Sequence, residues 1–167
     1  TRIKYLTAGE SHGKGLLGII DNIPAGLDIS EDYIAHQLFR RQQGHGRGGR
    51  MKIEKDHAEI YTGVRHGKSL GSPIGLILPN KDFKNWINKM SIKPVDNEIT
   101  KVTLPRPGHA DLAGVQKFDF DDIRNVLERS SARETAMRVA LASVCRKLLK
   151  DIGIEVGSRV TQIHTAK

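Results

Sequence analysis

The chain has 167 residues, of which 38% are hydrophobic and 28% charged, as expected for one globular domain spanning residues 1–167. No apolar run approaches the roughly 20 residues that span a bilayer, and the first residues lack the apolar core of a signal peptide. The single cysteine, Cys145, excludes an internal disulfide and fits a reducing compartment, so we expect a cytoplasmic protein.

The formal net charge of +8 raises the local concentration of anions around the protein. Charge alone does not distinguish nucleic acid, a membrane surface and a small phosphorylated metabolite. Because only 5% of the residues are aromatic, the chain is poor in side chains that stack single-stranded bases. Composition therefore leaves the partner open.

Short strands around one helix are predicted for the first half of the chain. Ser30, followed by two acidic residues, is typical of a helix N-terminus, and Ile34 and Leu38 share one face of that helix. This helix should end near Gln43, and a shorter helix is predicted at 83–90. Strands are predicted at 3–8, 16–23, 51–62 and 72–79, and loops at 91–117.

The strongest helical pattern covers residues 131–152, and Gly153 supplies a stop. Ser131 and Glu134 have the spacing of a capping box. Residues 154–163 alternate between apolar and polar side chains, which predicts a strand. Strands and helices without a regular β-α-β alternation favour an α+β fold. The apolar stripe of the long helix consists of Met137, Leu141, Val144, Leu148 and Ile152.

Three glycine-containing motifs match known functional patterns by letter but not by context. Gly9–Gly13 matches the G-x-S-x-G nucleophile elbow, but a strand is predicted after it, where that elbow requires a helix. Gly44–Gly49 matches G-x-G-x-x-G, but it leaves a helix and enters a strand, the reverse of a dinucleotide-binding turn. Gly63–Ser69 resembles a phosphate-binding loop with one residue too few between its glycines. We expect none of these three functions.

Four segments carry more reactive polar residues than a structural domain requires. In the first, Ser11 and His12 stand between glycines, where a ligand could approach closely; a purely structural histidine is the alternative. The second runs from Arg40 to Arg50, and its guanidiniums suit phosphate and carboxylate oxygens. For this segment, a solvated basic loop or a nucleic-acid contact stays open.

The third segment, Arg106–Asp111, holds an arginine and His109 between prolines and a glycine. His109 could present a proton or a positive charge to a departing phosphate, whereas an ordinary Pro-Gly turn is the alternative. The fourth segment, Arg129–Glu134, places two guanidiniums and two hydroxyls at the predicted start of the long helix, where N–H groups favour phosphate. A capping box alone gives no role to the two arginines.

No metal site is expected, because the histidines lack metal-ligand spacing and there is no Cys/His cluster. Together the four segments indicate a small substrate with several negative charges, with His12 and His109 as candidate acid–base groups. The residues alone indicate no more than this class of substrate.

Two long stretches resemble the signatures of the chorismate synthase family. Gly9–Gly13 with Gly18–Gly26 is similar to the first signature, apart from Asn22, where the pattern usually has glycine. Glu128–Val139 is similar to the second signature. The Arg106–Asp111 segment and the loop that contains Arg41 and Arg47 also fall where the family has them. The resemblance covers essentially the whole chain.

This resemblance implies conversion of 5-enolpyruvylshikimate 3-phosphate to chorismate and phosphate, an anti-1,4-elimination that requires reduced FMN. By resemblance, His12 acts beside the reduced flavin and His109 assists the leaving phosphate. The anionic groups of the small-molecule substrate would be held by Ser11, Arg41, Arg47, Arg106, Ser131 and Arg133. FMN would contact Arg129, Ser130 and Ser131, and where NADPH reduces the flavin, Arg41 and Arg47 are implicated.

The resemblance also implies a homotetramer and a β-α-β sandwich, of which this chain is the N-terminal portion. Family members are normally more than twice as long, and their remaining part holds a third signature, further flavin contacts and an aspartate. Neither nucleic acid nor a membrane is then expected as a partner. The alternative is a basic nucleic-acid-binding domain, which would bind random RNA in a salt-dependent way.

We predict that residues 1–167 alone are inactive, because the further flavin contacts and the aspartate of the remaining part of a family member are missing from them. The isolated chain is mixed anaerobically with reduced FMN and 5-enolpyruvylshikimate 3-phosphate, and the absorbance of chorismate is followed. No absorbance should develop, and turnover would refute this prediction.

Overall fold

The computed structural model describes residues 2–44 and 55–166. Its strands are β1 (Lys4–Gly9), β2 (Gly15–Asp21), β3 (Glu59–Thr62), β4 (Val64–Arg65), β5 (Lys68–Ser69) and β6 (Ile74–Pro79). Its helices are α1 (Glu31–Gln42), α2 (Asp111–Phe118), α3 (Arg124–Leu127) and α4 (Glu134–Asp151), with a 3-10 helix at Lys81–Asn85. This mixture of helix and antiparallel sheet confirms the predicted α+β class.

Four strands form one antiparallel sheet in the order β1-β2-β6-β3. Because alternate residues of a strand point to opposite faces, β2 buries Leu16 and Ile20 on one face and exposes Leu17 and Ile19 on the other. The sheet therefore has one face in the core and one apolar face that no other described element covers.

Three of the predicted strands, at 3–8, 16–23 and 72–79, are confirmed to within a few residues. Of the predicted strand 51–62, residues 59–62 form β3, whereas 51–54 lie outside the described residues. The two short strands β4 and β5 pair with each other and were not expected from the sequence.

Helices α1 and α4 pack against each other on the buried face of the sheet. From α1, Ile34 and Leu38 are fully buried, and from α4, Met137, Leu141 and Val144 are at most 2% exposed. Each such side chain contributes roughly 1.5–3 kcal/mol of hydrophobic stabilisation when it leaves water. They meet strand residues Leu16, Ile20, Ile74, Leu76 and Leu78 in a single core.

The predicted start of α1 is confirmed. The Ser30 hydroxyl oxygen accepts the backbone N–H of Tyr33 at 3.2 Å and so satisfies a donor that the helix leaves unpaired. The carboxylate of Glu31 accepts the N–H of Ile60 in β3 at 2.8 Å. The first turn of α1 is therefore tied to the edge strand of the sheet.

The region predicted as loop at 91–117 contains most of α2, and α3 follows it, so that prediction is wrong in part. Pro94, Pro105 and Pro107 argued against a helix there. A Cβ atom at Gly114 would lie 2.8 Å from Cγ2 of Val126 in α3. Gly114 is thus a packing residue that lets α2 approach α3, and the sequence pattern does not reveal that contact.

Two further predictions are wrong. Residues 154–163 alternate in polarity but form no ladder with any described strand, and Val156 and Val160 are exposed. An alternating segment forms a strand only when it pairs with the edge of a sheet, and none of the described edges pairs with this one.

The helix predicted at 83–90 is the 3-10 helix followed by turns, in which the N–H of Trp86 donates to the carbonyl of Phe83.

The rejection of the nucleophile elbow is confirmed, because the strand β2, not a helix, follows Ser11. Gly63–Ser69 spans the β4–β5 hairpin and is no phosphate-binding loop. The glycine-rich segment 45–50 lies outside the described residues. In the described part of the chain, no helix combines the length and the apolar character that crossing a membrane requires.

Asn22 has φ of +65°, in the left-handed region that favours glycine and tolerates asparagine. Its side-chain amide donates to the carbonyl of Arg2 at 2.8 Å, and its own N–H donates to the Asp21 carboxylate at 2.8 Å. These bonds stabilise a conformation that most residues avoid. The departure from glycine therefore preserves the turn.

We predict that Gly9→Ala destabilises the full-length protein by about 1–3 kcal/mol, because Gly9 has φ of +111° and an added Cβ would lie 2.8 Å from Cα of Leu16. Gly157→Ala is the control, since an added Cβ there meets nothing within 4 Å, and it should change stability by less than about 0.5 kcal/mol. Chemical denaturation of both variants measures the difference. Equal stabilities would contradict the role given to Gly9.

Candidate functional site

The loop between β1 and β2 carries Ser11 and His12 and is held in place by buried polar contacts. The backbone N–H of Ser11 donates to the carbonyl of Glu128 at 2.9 Å, and Ser11 is 2% exposed. The side-chain amide of Asn80 donates to the carbonyls of Glu10 and Gly13 at 3.0 and 2.9 Å. Because Ser11 and Asn80 are shielded from water, the donors that they contribute to these bonds would be costly to leave unsatisfied.

His12 lies against a buried carboxylate and an aromatic ring. Its backbone N–H donates to Oε2 of Glu128 at 2.8 Å, and its ring Nδ1 lies 3.0 Å from both carboxylate oxygens. The ring stacks on Trp86 with centroids 4.0 Å apart and planes inclined by 28°. Glu128 also accepts from Nη1 of Arg124 at 3.0 Å. His12 is therefore held at one ring nitrogen and on one ring face.

Arg133 and Arg41 converge on one buried carboxylate. Arg133 is 7% exposed, and its Nε donates to Oδ1 of Asn80 at 2.9 Å. Its Nη1 donates to Oδ1 of Asp56, whose other oxygen lies 3.7 Å from Nη1 of Arg41. Arg41 also donates to the carbonyl of Ala132 at 2.9 Å. These contacts join α1, the end of β6 and the start of α4.

The predicted capping box at the start of α4 is wrong. Arg133 occupies the N-cap position, and the Ser131 hydroxyl accepts the N–H of Arg133 at 3.3 Å instead of capping the helix. The first helical N–H, that of Glu134, donates to the carbonyl of Ser131 at 3.1 Å. The next two N–H groups donate to the carbonyls of residues 132 and 133. A tight turn thus satisfies the amides expected to bind phosphate.

Side chains at this helix start form a second polar cluster. Arg129 donates through Nη2 to the carbonyl and hydroxyl of Thr7 at 2.8 and 2.9 Å, and it lies 3.7 Å from the carboxylate of Glu134. Thr7 donates to Oε1 of Glu134 at 2.8 Å, and Arg138 binds Oε2 at 2.8 Å. Burial raises the pKa of Glu134, but the Arg138 and Thr7 hydrogen bonds outweigh it, so the pKa is lowered overall.

The same residues line a concavity of about 460 Å³ at the surface. The guanidinium of Arg129 is 42% exposed there. The hydroxyl of Ser130 donates to the carbonyl of Val126 at 2.9 Å, so it can offer a ligand only an acceptor. The walls are formed by Arg129, Ser130, Ser131, Ala132, Glu134, Thr135 and Arg138.

Arg106 and His109 lie on a separate, exposed loop before α2. The backbone N–H and Nε of Arg106 donate to Oδ2 of Asp111 at 3.0 and 2.9 Å, and Nη2 donates to Oδ1 at 2.9 Å. These hydrogen bonds lower the pKa of Asp111 from 3.8 to about 2. In return, Asp111 first and Glu128 more weakly raise the pKa of Arg106.

Three of the four predicted segments are partly brought together. Asn80 bridges the Ser11–His12 loop to Arg133, and Glu128 joins that loop to the segment before α4. Arg41 reaches the same segment through Ala132. In the described part of the chain, no hydrogen bond or ion pair links the side chain of His109 to these groups. Arg47 lies outside the described residues, so neither its predicted substrate contact nor its predicted NADPH contact has a position here.

The cluster contains four residues that sequence reasoning did not select: Asp56, Asn80, Trp86 and Arg124. Glu128 begins the stretch that resembles the second family signature, but the sequence pattern indicates no individual role for it. Of these residues, only Asn80 could have been selected from the sequence. It is a polar residue directly after Pro79, where the buried strand β6 ends. Residues 2–44 and 55–166 contain no group of three or more side chains suited to a metal ion.

Arginines outnumber carboxylates among the ion pairs of the site. Five guanidiniums, from Arg41, Arg124, Arg129, Arg133 and Arg138, form ion pairs with three carboxylates, from Asp56, Glu128 and Glu134. The arginines are thus held in position by fewer negative charges than would neutralise them. An anionic ligand would meet a preorganised positive field at this end of the sheet.

Comparison with known proteins gives one family. A family model described as chorismate synthase matches residues 3–167. Chorismate synthase of Chlorobium luteolum is 57% identical over 166 residues, which cover 99% of this chain and 42% of that protein. Chorismate synthase of Aquifex aeolicus is 57% identical over 162 residues, covering 96% of this chain and 41% of that protein.

A solved structure agrees with the sequence comparison. A crystal structure of chorismate synthase is 44% identical to this chain and superposes with a TM-score of 0.71, covering 93% of this chain and 36% of the solved chain. The chain therefore spans about two fifths of the length of the relatives that it matches.

We predict that Asp111→Asn lowers the melting temperature at neutral pH by roughly 2–4 °C, because a charge-assisted, bidentate contact is lost. The pKa of Asp111 is lowered from 3.8 to about 2, so its contribution is complete above pH 3.8 and is lost as the pH falls through 2. The difference in melting temperature between Asp111→Asn and the unmodified protein should therefore become smaller as the pH falls across this range.

The control for this variant is Asp96→Asn, which removes the same charge at an exposed position. It should leave the melting temperature unchanged at every pH. A gap for Asp111→Asn that stays constant from pH 5 to pH 2 would argue against the ion pair as its cause.

Proposed function

Because the chain belongs to the chorismate synthase family, we propose that the full-length protein converts 5-enolpyruvylshikimate 3-phosphate to chorismate and phosphate, using reduced FMN. It would be a lyase that acts at the last step of the shikimate pathway, in aromatic amino-acid biosynthesis. The observation that carries this proposal is the meeting of both signature segments: the loop of Ser11 and His12 is bonded directly to Glu128 and, through Asn80, to Arg133.

The positive excess of the site supports an anionic substrate. We assign the substrate anions to Ser11, Arg41, Arg47, Arg106, Ser131 and Arg133. Arg41 and Arg133 are already held by Asp56, so their geometry is set before a ligand arrives. A preorganised guanidinium loses little side-chain entropy when it binds a phosphate or carboxylate.

The exposed guanidinium at the concavity suits the anionic part of a flavin nucleotide. Arg129 is half exposed there and is aimed by its bonds to Thr7, while the hydroxyls of Ser130 and Ser131 lie on the same wall. Arg129 and Ser131 would hold FMN, with Ser130 as an acceptor. When bound, the reduced flavin supplies an electron-rich ring to an elimination that involves no net redox change.

The two histidines are assigned to proton transfer. His12 is 21% exposed and is fixed against Glu128 and Trp86, which suits a group that must present one ring nitrogen in a defined direction. His109 is exposed on the same loop as Arg106. We assign His109 to the departing phosphate.

Three further features belong to this proposal. NADPH as the flavin reductant would use Arg41 and Arg47. A cytoplasmic location is supported by the single cysteine and by the bacterial relatives. A homotetramer is supported by the uncovered face of the sheet, where Leu6, Leu17 and Ile19 are at least 50% exposed, since apolar patches of this kind mark interaction surfaces.

We predict that the full-length protein, with reduced FMN under anaerobic conditions, forms chorismate and releases one phosphate per substrate consumed. Arg129→Ala should raise the Kd for FMN about tenfold, the effect of losing one charge-assisted contact to a phosphate. Chorismate absorbance measures the reaction, and flavin fluorescence measures binding.

Arg159→Ala is the matched control, because Arg159 is exposed and no ion pair joins it to another described residue. This variant should bind FMN with unchanged affinity. If the unmodified protein forms no chorismate, the proposed function is wrong. If both arginine variants bind FMN alike, only the assignment of Arg129 is wrong.

A further inference from the structure

The carboxylate of Glu128 is surrounded by hydrogen-bond donors. Its side chain is 2% exposed, so water contributes little to its solvation. Oε2 accepts the backbone N–H of His12 at 2.8 Å, and Oε1 accepts from Nη1 of Arg124 at 3.0 Å. The ring Nδ1 of His12 lies 3.0 Å from both oxygens. Of these contacting groups, only Nδ1 is able to act either as a donor or as an acceptor.

The chemistry of the carboxylate settles which role Nδ1 takes. An ionised carboxylate has no hydrogen to donate, so a neighbouring nitrogen must carry one. Arg124 and the His12 N–H each place a donor hydrogen on this carboxylate, which is the arrangement that a carboxylate able only to accept requires. Nδ1 therefore carries a hydrogen whether the imidazole is neutral or charged. In the neutral ring, the second nitrogen, Nε2, is then the one with a lone pair.

The ring is also prevented from turning over. Trp86 covers one face, and Trp86 is itself fixed because its Nε1–H donates to Oδ2 of Asp82 at 3.0 Å. The guanidinium of Arg124 lies 5.0 Å from the Trp86 ring and so stabilises the same stack. A flip of the imidazole would break the contact of Nδ1 with Glu128. Among the described residues, Nε2 makes no hydrogen bond.

We propose that Glu128 is a positioning residue for His12, which fixes the Nδ1–H tautomer and makes Nε2 the atom that exchanges a proton with the bound ligand. In that exchange the Nε2–H bond of the imidazolium breaks, its electron pair stays on Nε2, and the proton passes to a basic atom of the ligand. The Nδ1–H remains on Glu128 throughout. The assignment of the tautomer depends only on the geometry, whereas its effect on turnover rests on the proposed function.

Substitution of Glu128 by glutamine should favour the other tautomer of His12. A glutamine side chain has one acceptor oxygen and one NH₂ group. Because Arg124 donates to one oxygen and the His12 N–H to the other, the NH₂ group opposes one of these donors in either orientation, and in both it also lies beside Nδ1. Facing Nδ1, it favours an acceptor there, which moves the ring proton to Nε2. Glu128→Asp keeps an acceptor-only carboxylate and should keep the Nδ1–H tautomer.

The first test reads the tautomer directly. The full-length protein is labelled with ¹⁵N-histidine, and the ring signals of His12 are assigned by their loss in His12→Asn. Neutral His12 should show a protonated Nδ1 and an unprotonated Nε2 in the unmodified protein and in Glu128→Asp. Glu128→Gln should shift the population towards Nε2–H. A protonated Nε2 with a bare Nδ1 in the unmodified protein would overturn the proposal.

The second test is a double-mutant cycle on turnover. Glu128→Gln should lower kcat about 100-fold with little change in KM, because a positioned acid–base group contributes on the order of 10²–10⁴-fold. In the His12→Asn background the same substitution should have no further effect, since the residue acts through His12. Independent, multiplicative effects would overturn the positioning role.

Glu155→Gln is the control, because Glu155 is exposed and lies outside the site. Its kcat should equal that of the unmodified protein. An unmodified protein without chorismate synthase activity would refute the proposed function, while the ¹⁵N measurement would still decide the tautomer. If Glu128→Gln does not fold, the tautomers of the unmodified protein and of Glu128→Asp decide the proposal.

Discussion

The arrangement of the site depends on one buried amide. Asn80 follows β6 and is 5% exposed, and its side chain donates to the carbonyls of Glu10 and Gly13 and accepts from Arg133. Its backbone N–H donates to the carbonyl of Lys14 at 3.1 Å. Both hydrogens of the NH₂ group are therefore used to fix the loop between β1 and β2, and the oxygen fixes the start of α4. An apolar residue of the same size would remove one hydrogen-bond partner from each of two carbonyls and from Nε of Arg133, at a cost of about 1–3 kcal/mol for each buried group left unsatisfied.

Much of the fold could be predicted because its core elements repeat with a regular period. Helix α1 and helix α4 each place apolar residues three or four positions apart, and β1, β2 and β6 are short apolar runs bounded by glycine or proline. Such patterns indicate which face of a helix or strand is buried. They do not state which element covers that face, and for this reason the strand expected at 154–163 has a suitable pattern but pairs with none of the described strands.

The site was harder to predict, because its contacts join residues far apart in the sequence. His12 and Glu128 are 116 positions apart, and Asn80 and Arg133 are 53 apart. Local spacing gave Ser131 and Glu134 as a capping box, whereas in the fold Glu134 is bound by Thr7 and Arg138. A side chain with two possible partners takes the one that tertiary structure brings close, and the competing bond from β1 decided this case. Family resemblance located the segments, but it did not separate residues that hold the site from residues that face a ligand.

That separation follows from exposure and hydrogen bonding. Arg133 is 7% exposed and donates to Asn80 and Asp56, whereas Arg129 is 42% exposed at the rim of a concavity. Two arginines only four residues apart in one signature therefore have different surroundings. The buried one joins the loop of Ser11 and His12 to α4, and the exposed one is aimed outwards by the end of β1. Because a positive charge acts over several ångströms, a buried guanidinium such as that of Arg133 can add to the field of the site while it anchors the loop that carries His12.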